Sequence, residues 1–427
     1  MGTWLEGYGA RNSGSVGVHD DLHARALVVD DGTTQAAVVS CDLIGVDRHT
    51  TEAVRGLVAA ATDIPAEHVM VCATHTHAGP RGMHRQEDSA LRDVQNRLIA
   101  GAVEQAWRNK RPCVLKAGRG SVDSVSQSRR DPAAPIDDTL RVLLFDALRH
   151  DEPPVASVVN FACHATVLYH TNMQISADYP GQALATVRKI VGDAPSLFLQ
   201  GACGDINPAW IEQDYAEAAR VGSIVGAEAA RRLQELRPLG HQQRVWSIRW
   251  DELADKPVTA GALIEPRIRV ASRTVSVRLR ALPPPEDYAP RLADLEQQRA
   301  AVDPGDVDAR RRVMEQIVRY RSERLTAAML RSPNELQAEI QAISFGPGCA
   351  ILALPGEFFT DTGRQIQAAA GLDHLMIACY ANHHLMYIVP RHEFDRGGYE
   401  PGVALLDEDA EESFRAAAVD LLHEIST

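Results

Sequence analysis

Short apolar runs rich in β-branched residues alternate with amphipathic helical stretches through the first 240 of the 427 residues, which restricts the fold more than any single motif does. Strand-like runs fall at 24–29, 35–41, 69–73, 114–118, 140–145, 155–161 and 197–199, then at 244–250, 274–279, 339–344 and 350–354. Helical patterns fall at 50–61, 89–107, 180–191, 215–236, 291–329, 361–370 and 408–425. This order predicts an α/β, mixed layered architecture in which central β-sheets are flanked by helices. Residues 282–332 break the rhythm. They open on LPPPEDYAP and continue as a charged stretch rich in Arg, Gln, Glu and Ala. The stretch reads as a long helical insertion in the C-terminal half, folded as a hairpin. A solvated excursion is the plain account of it, and a lid or an oligomer contact the sharper one.

Charge and cysteine usage narrow the function classes. The net charge is −13, and no basic stripe with interleaved aromatics is present. That argues against nucleic acid and against an anionic membrane surface. No apolar run reaches 18 residues, so no stable membrane insertion is expected. The seven cysteines are scattered and form no CxxC pair. They read as free thiols in a reducing compartment, which with no visible leader gives a cytoplasmic expectation. The opening MGTWLEGYGARN runs abruptly into structured-looking sequence, as though an initial strand were missing.

Side chains able to do chemistry cluster at predicted strand ends. VMVCATHTHAGP, residues 69–80, carries His75 and His77, and strand alternation places the two imidazoles on one face. A second strand runs into His164, and the loop after it holds His170 and reaches Asp178, which reads as a helix N-cap before Pro180. A third ends in Pro355-Gly356 with Glu357 at its mouth, and 380–402 supplies Tyr387 and Tyr399. The Gly-rich turn LQGACGDINP, 199–208, has neither a phosphate-binding pattern nor a nucleophile serine, and leaves Asp205 to orient or cap its loop. Two histidines and one glutamate from separate strand ends, with an open water position, make a hydrolytic zinc set. A second metal near Asp42 or Asp205 is the lesser alternative.

At these clusters the chain resembles the N-terminal catalytic domain of the neutral/alkaline ceramidase family. THTHAGP (74–80), NFACHATVL (160–168), SADYPG (176–181), GACGDINP (201–208), LPGEF (354–358) and the stretch 381–402 occur in that family's order. The resemblance runs from about Gly7 onward and is weakest over 240–335. It implies that His75, His164, Glu357 and Tyr387 bind Zn2+, that His77 meets the reacting amide, and that Tyr399 stabilises the oxyanion. It implies a substrate-binding arginine in the run Ser128-Arg129-Arg130, with Arg129 the choice and Arg130 beside it. Against the family's pattern, the expectation is a chain that stops near the catalytic core, without a C-terminal immunoglobulin-like domain, and that carries the 282–332 segment as an insertion.

The expectation is a single catalytic domain over 1–427 acting as a zinc-dependent amidohydrolase. Its partner would be a small-molecule amide, smaller or more polar than ceramide, and a homo-oligomer is compatible with the sequence. The rival readings are a ceramidase acting on a sphingolipid, an esterase, lactonase or peptidase on the same metal, and a non-catalytic binding module.

Overall fold

The computed structural model describes residues 2–80, 89–149, 151–238, 244–246, 253–255, 261–303, 305–330 and 335–426. The expected strand residues 247–250, and residues 304, 331 and 332 of the expected insertion, lie outside that set. Three principal sheets form the frame. The first orders Ala24–Asp30, Gln35–Cys41 and Val69–Ala73. The second orders Ser196–Gln200, Ala156–Phe161, Thr139–Ala147, Cys113–Ser121 and Ala262–Ile264. The third orders Arg269–Arg278, Glu335–Gly346, Cys349–Ala353 and His374–Ala378. The α/β reading from sequence is what the structure has.

Each sheet contains one parallel pair: Gln35–Cys41 with Val69–Ala73, Ala156–Phe161 with Ser196–Gln200, and Cys349–Ala353 with His374–Ala378. All six strands are buried almost throughout, which suits apolar sequences covered on both faces. Their carboxyl ends meet. The Cys379 amide donates to Gln200 O at 2.8 Å, Asn382 N to Val71 O at 2.8 Å, and the Asn160 side chain bridges Leu199 O and Ile377 O at 2.9 Å each. Loops leaving these ends therefore converge, as they do at the carboxyl edge of open α/β sheets.

The 282–332 segment contains the helices Tyr288–Ala301 and Val307–Met329. It is more than a solvated excursion. Ile317, Ser322, Glu323 and Thr326 are buried, and this face docks on the short helix Tyr399–Val403. Thr326 Oγ1 donates to Gly402 O at 3.0 Å, and Glu323 Oε1 accepts from Arg280 at 2.6 Å and Arg319 at 2.9 Å. Contact is so close that a Cβ on Gly402 would lie 2.6 Å from Ser322 Cβ and 2.9 Å from Arg319 O. Gly402→Ala is therefore expected to overpack this seam at a cost of about 1–3 kcal/mol. Urea unfolding should show the lower midpoint at unchanged slope. A midpoint equal to the parent would mean that the seam relaxes freely.

All seven cysteines are unpaired thiols, six of them buried. Among the described residues, no helix is long and apolar enough to cross a membrane.

Candidate metal centre

The Val69–Ala73 strand stops two residues before His75, so pleat alternation does not place the two imidazoles. His75 instead takes the left-handed conformation, φ 65°, a costly choice for a residue with a Cβ. Asp178, Tyr380, Asn382 and Met386 are the other described non-glycine residues with positive φ. Three of those four lie in the 380–386 turn beside His75. The turn swings the His75 ring onto Tyr380, the two stacked at 3.9 Å between centroids, and brings His77 Nε2 to 3.1 Å from His75 Nε2.

Backbone carbonyls fix two of the rings. His75 Nδ1 lies 2.6 Å from Ile44 O, and His164 Nδ1 lies 2.6 Å from Cys203 O and 3.0 Å from Ile206 O. A carbonyl only accepts, so both Nδ1 atoms carry the proton and both Nε2 atoms present a lone pair. His164 Nε2 then sits 3.1 Å from Glu357 Oε2, and His75 Nε2 sits 3.5 Å from the same oxygen. Tyr387 OH approaches His164 Nε2 at 3.4 Å. Glu357 and Tyr387 come from the two-residue strands Glu357–Phe358 and Tyr387–Ile388, which pair in parallel with those two residues in register.

A cation fits this donor set. His75, His164 and Glu357 are buried and turn three lone-pair donors toward one point with no hydrogen between them, which is repulsive unless a positive charge lies there. Tetrahedral zinc holds its ligand atoms roughly 3.3 Å apart, given Zn–N of about 2.0–2.1 Å, and the contacts above bracket that spacing. Burial pushes His75 well below its ordinary pKa and His77 down to about 3, so both rings are neutral, the form that ligates. Burial works against charge on Glu357, and with the His75 and His164 Nε2 atoms presenting lone pairs, the His384 Nε2 at 3.2 Å from Oε1 is the imidazole nitrogen placed to donate to the carboxylate. Among the described residues, His75, His77 and His164 form a group whose ligand atoms all lie within 4.8 Å of one another.

Residues 1–211 match the model of the neutral/alkaline non-lysosomal ceramidases, N-terminal. Four of the six sequence motifs lie in that stretch, in keeping with the resemblance read from sequence. The neutral ceramidase of Mycobacterium tuberculosis (strain ATCC 25618 / H37Rv) is 25% identical over 280 residues, 55% of this chain and 44% of its own length. The match thus spans under half of that ceramidase. A crystal structure of neutral ceramidase from Pseudomonas aeruginosa superposes with a TM-score of 0.73 at 20% identity, covering 100% of this chain and 73% of that one. A ceramidase complexed with C2 gives 0.72 at 19% identity with the same coverage. Identities this low establish the ceramidase fold and no more.

Within that fold the remaining sequence candidates separate cleanly. Arg129 donates to Tyr387 OH at 2.8 Å and to Gly204 O at 2.6 Å, and its Nε pairs with Glu400 at 2.7 Å. Arg130 turns away, to Glu393, Glu400 and Gly397 O, so Arg129 is the arginine at the centre. Tyr399 stands beside Tyr387 at the open edge, 5.8 Å between ring centroids and 44% exposed. His170 packs on Tyr169 and does not join the cluster. Asp178 accepts from Leu168 N and Tyr179 N, at the first helical position instead of the cap, with Ala177 before it. Asp42 is taken by Arg25 and His23 N, and Asp205 caps Thr360 N, so each has a structural partner. Sequence reasoning missed His384, whose Nε2 holds Glu357 Oε1 at 3.2 Å, and the stacking role of Tyr380. The doubled histidine at 383–384 inside a motif was the available signal.

Proposed function

We propose that this chain is a zinc-dependent amidohydrolase in which His75, His164, Glu357 and Tyr387 hold the metal. The observation carrying it is the pair of imidazoles whose Nδ1 atoms are tied to carbonyls while their Nε2 atoms converge on one buried carboxylate oxygen. Carbonyl-tied imidazoles of this kind typify ligating histidines. Nitrogen and oxygen donors suit zinc, and the ceramidase match over 1–211 supports hydrolysis of an amide. When bound, the metal supplies Lewis acidity and lowers the pKa of a coordinated water to about 7.

The chain's own groups do the rest. His77 differs from the two anchored rings. Its Nδ1 is buried without a partner among the described residues, and its ring contact of hydrogen-bond length is Nε2 to His75 Nε2 at 3.1 Å, so no backbone carbonyl anchors this ring. With the His75 Nε2 lone pair engaged on the metal, the His77 Nε2 would be released to take a proton beside the metal set and return it to the departing amine. The Tyr399 hydroxyl, at the open edge, donates to the oxygen that gains charge as the carbonyl becomes tetrahedral. The Arg129 amino groups donate to Tyr387, Gly204 and Asn207 and its guanidinium pairs with Glu400, so its part is to hold Tyr387 in register with Glu357. Arg129, Arg130, Glu393 and Glu400 build a charged flank on the Tyr399 side, which favours an N-acyl substrate smaller or more polar than ceramide.

A panel of N-acyl-sphingosines in detergent, N-acyl amino acids, lactones and short peptides tests the reading, alongside metal analysis. The expected result is about one zinc per chain, amide cleavage lost on chelation and restored by zinc, and preference for a polar N-acyl compound. Long-chain N-acyl-sphingosines turned over best would make the sphingolipid the substrate. Preference for lactones would move the reaction to esters. Full hydrolysis with no bound metal would overturn the mechanism.

A further inference from the structure

The segment before the first long strand packs directly on His77. Gly7 has φ 106°, and a Cβ there would lie 2.5 Å from His77 Nδ1, so only glycine lets the backbone come this close. The Tyr8 ring rests on the imidazole, centroids 4.8 Å apart at 54°, with its hydroxyl fixed to Leu168 O at 3.2 Å. Arg11 ties the assembly together. Its guanidinium donates to His77 O at 2.6 Å, to Glu6 O at 3.0 Å and to Asn172 O at 3.2 Å, while stacking over Tyr8.

Two features set Arg11 apart from an ordinary buried arginine. It is 6% exposed, yet no carboxylate pairs with it among the described residues, and one of its amino groups has no acceptor there. Every partner it has is a backbone carbonyl, which no compact cation on a flexible stem matches with the same fork. And the carbonyl it grips most closely belongs to the one histidine of the cluster whose ring is not anchored to a backbone carbonyl. His75 and His164 are oriented through Nδ1. His77 is set by its backbone, the Gly7–Tyr8 surface and the contact of its Nε2 with His75 Nε2 at 3.1 Å.

We propose that Arg11 is a positioning residue for the hydrolysis, setting His77 at the angle from which its Nε2 moves the proton. This rests on the reading of His77 given above. A displacement of an ångström at a proton-moving atom costs on the order of 10²-fold in rate while leaving ground-state binding untouched. The role therefore belongs to kcat, and it vanishes once His77 has gone.

A double-mutant cycle reads this out, using the preferred amide of the panel. Arg11→Ala should lower kcat by about 30- to 100-fold with KM within about 2-fold and zinc content unchanged. In a His77→Ala background the same change should cost less than about 3-fold. Arg11→Lys, which keeps the charge, should fall between parent and alanine variant and guards against poor folding of the latter. With ¹⁵N-histidine labelling, the His77 ring signals, assigned by their loss in His77→Ala, should broaden in both Arg11 variants while those of His75 and His164 stay sharp. An equal kcat loss in both backgrounds, or none in the parent, overturns the role of Arg11 and leaves that of His77 standing. An unchanged kcat in His77→Ala alone overturns the reading of His77, and the inference with it.

Discussion

Replacing His75 with alanine is expected to remove the metal and the activity together. The ring supplies one of two carbonyl-anchored Nε2 donors, and its loss leaves His164 and Glu357 facing each other at 3.1 Å without the third arm. Tyr380, stacked on the His75 face, offers no substitute, because its hydroxyl is already engaged with Cys203 Sγ. Zinc content by mass spectrometry should fall well below one per chain, and amide hydrolysis by on the order of 10³-fold or more, about 4 kcal/mol of transition-state stabilisation. Two companion variants give the result its meaning. His384→Ala removes the group holding Glu357 Oε1 and should weaken metal binding by about 10- to 100-fold, the usual effect of losing an outer partner. His77→Ala should keep the metal and lose about 10²- to 10⁴-fold in rate, the range of a general acid–base group. Should His75→Ala retain metal and rate, the donor set proposed here is wrong. Should His77→Ala lose the metal as fully as His75→Ala, the three histidines form the ligand set and the division between them fails.

That division shows where sequence reading reaches its limit. The runs at 35–41 and 69–73 and the helix at 215–236 are legible to the residue, because burial on both faces or on one stripe writes a periodic apolar pattern. Histidine and glutamate at the ends of such runs are legible as candidates, and the order of six motifs ties them to one family. The geometry joining them is not periodic. His75 and His77 meet through a left-handed turn, which the sequence THTH does not encode differently from an extended one. Glu357 and Tyr387 stand side by side through a two-residue parallel pairing, too short for any pattern. The grip of Arg11 on His77 O spans 66 positions, and that of Arg129 on Tyr387 OH spans 258. Contacts of that separation exist only once the sheets have assembled, so no local propensity announces them.

The same reasoning makes Glu400 a residue whose loss should hurt stability strongly. It is 4% exposed and bridges two guanidinium groups, Arg129 Nε at 2.7 Å and an Arg130 amino group at 2.5 Å. Arg130 keeps Glu393 at 2.6 Å, but Glu400 is the one carboxylate paired with Arg129 among the described residues. Removing one partner of a buried pair strands the other charge, so Glu400→Gln is expected to cost about 3–5 kcal/mol at pH 7. Its pH dependence identifies the cause. Burial alone would raise the Glu400 carboxyl, and Arg129 and Arg130 outweigh it, holding the group below its ordinary value of 4.5. A carboxyl depressed on folding adds stability that is fully present above the unfolded-state pKa and is lost as pH falls through the folded-state pKa. The gap between parent and Glu400→Gln in urea midpoints should therefore be constant from neutral pH down to about 5 and close progressively below about 4.5. A gap under about 1 kcal/mol at pH 7 would show that water already screens the pair, as at a surface site. A gap that persists unchanged to low pH would assign the loss to packing of the Tyr399–Val403 helix against Val307–Met329. With the gap behaving as expected, activity should fall too. Arg129, released from Glu400, no longer holds the Tyr387 hydroxyl beside His164, and a change made at the flank is read out at the metal set.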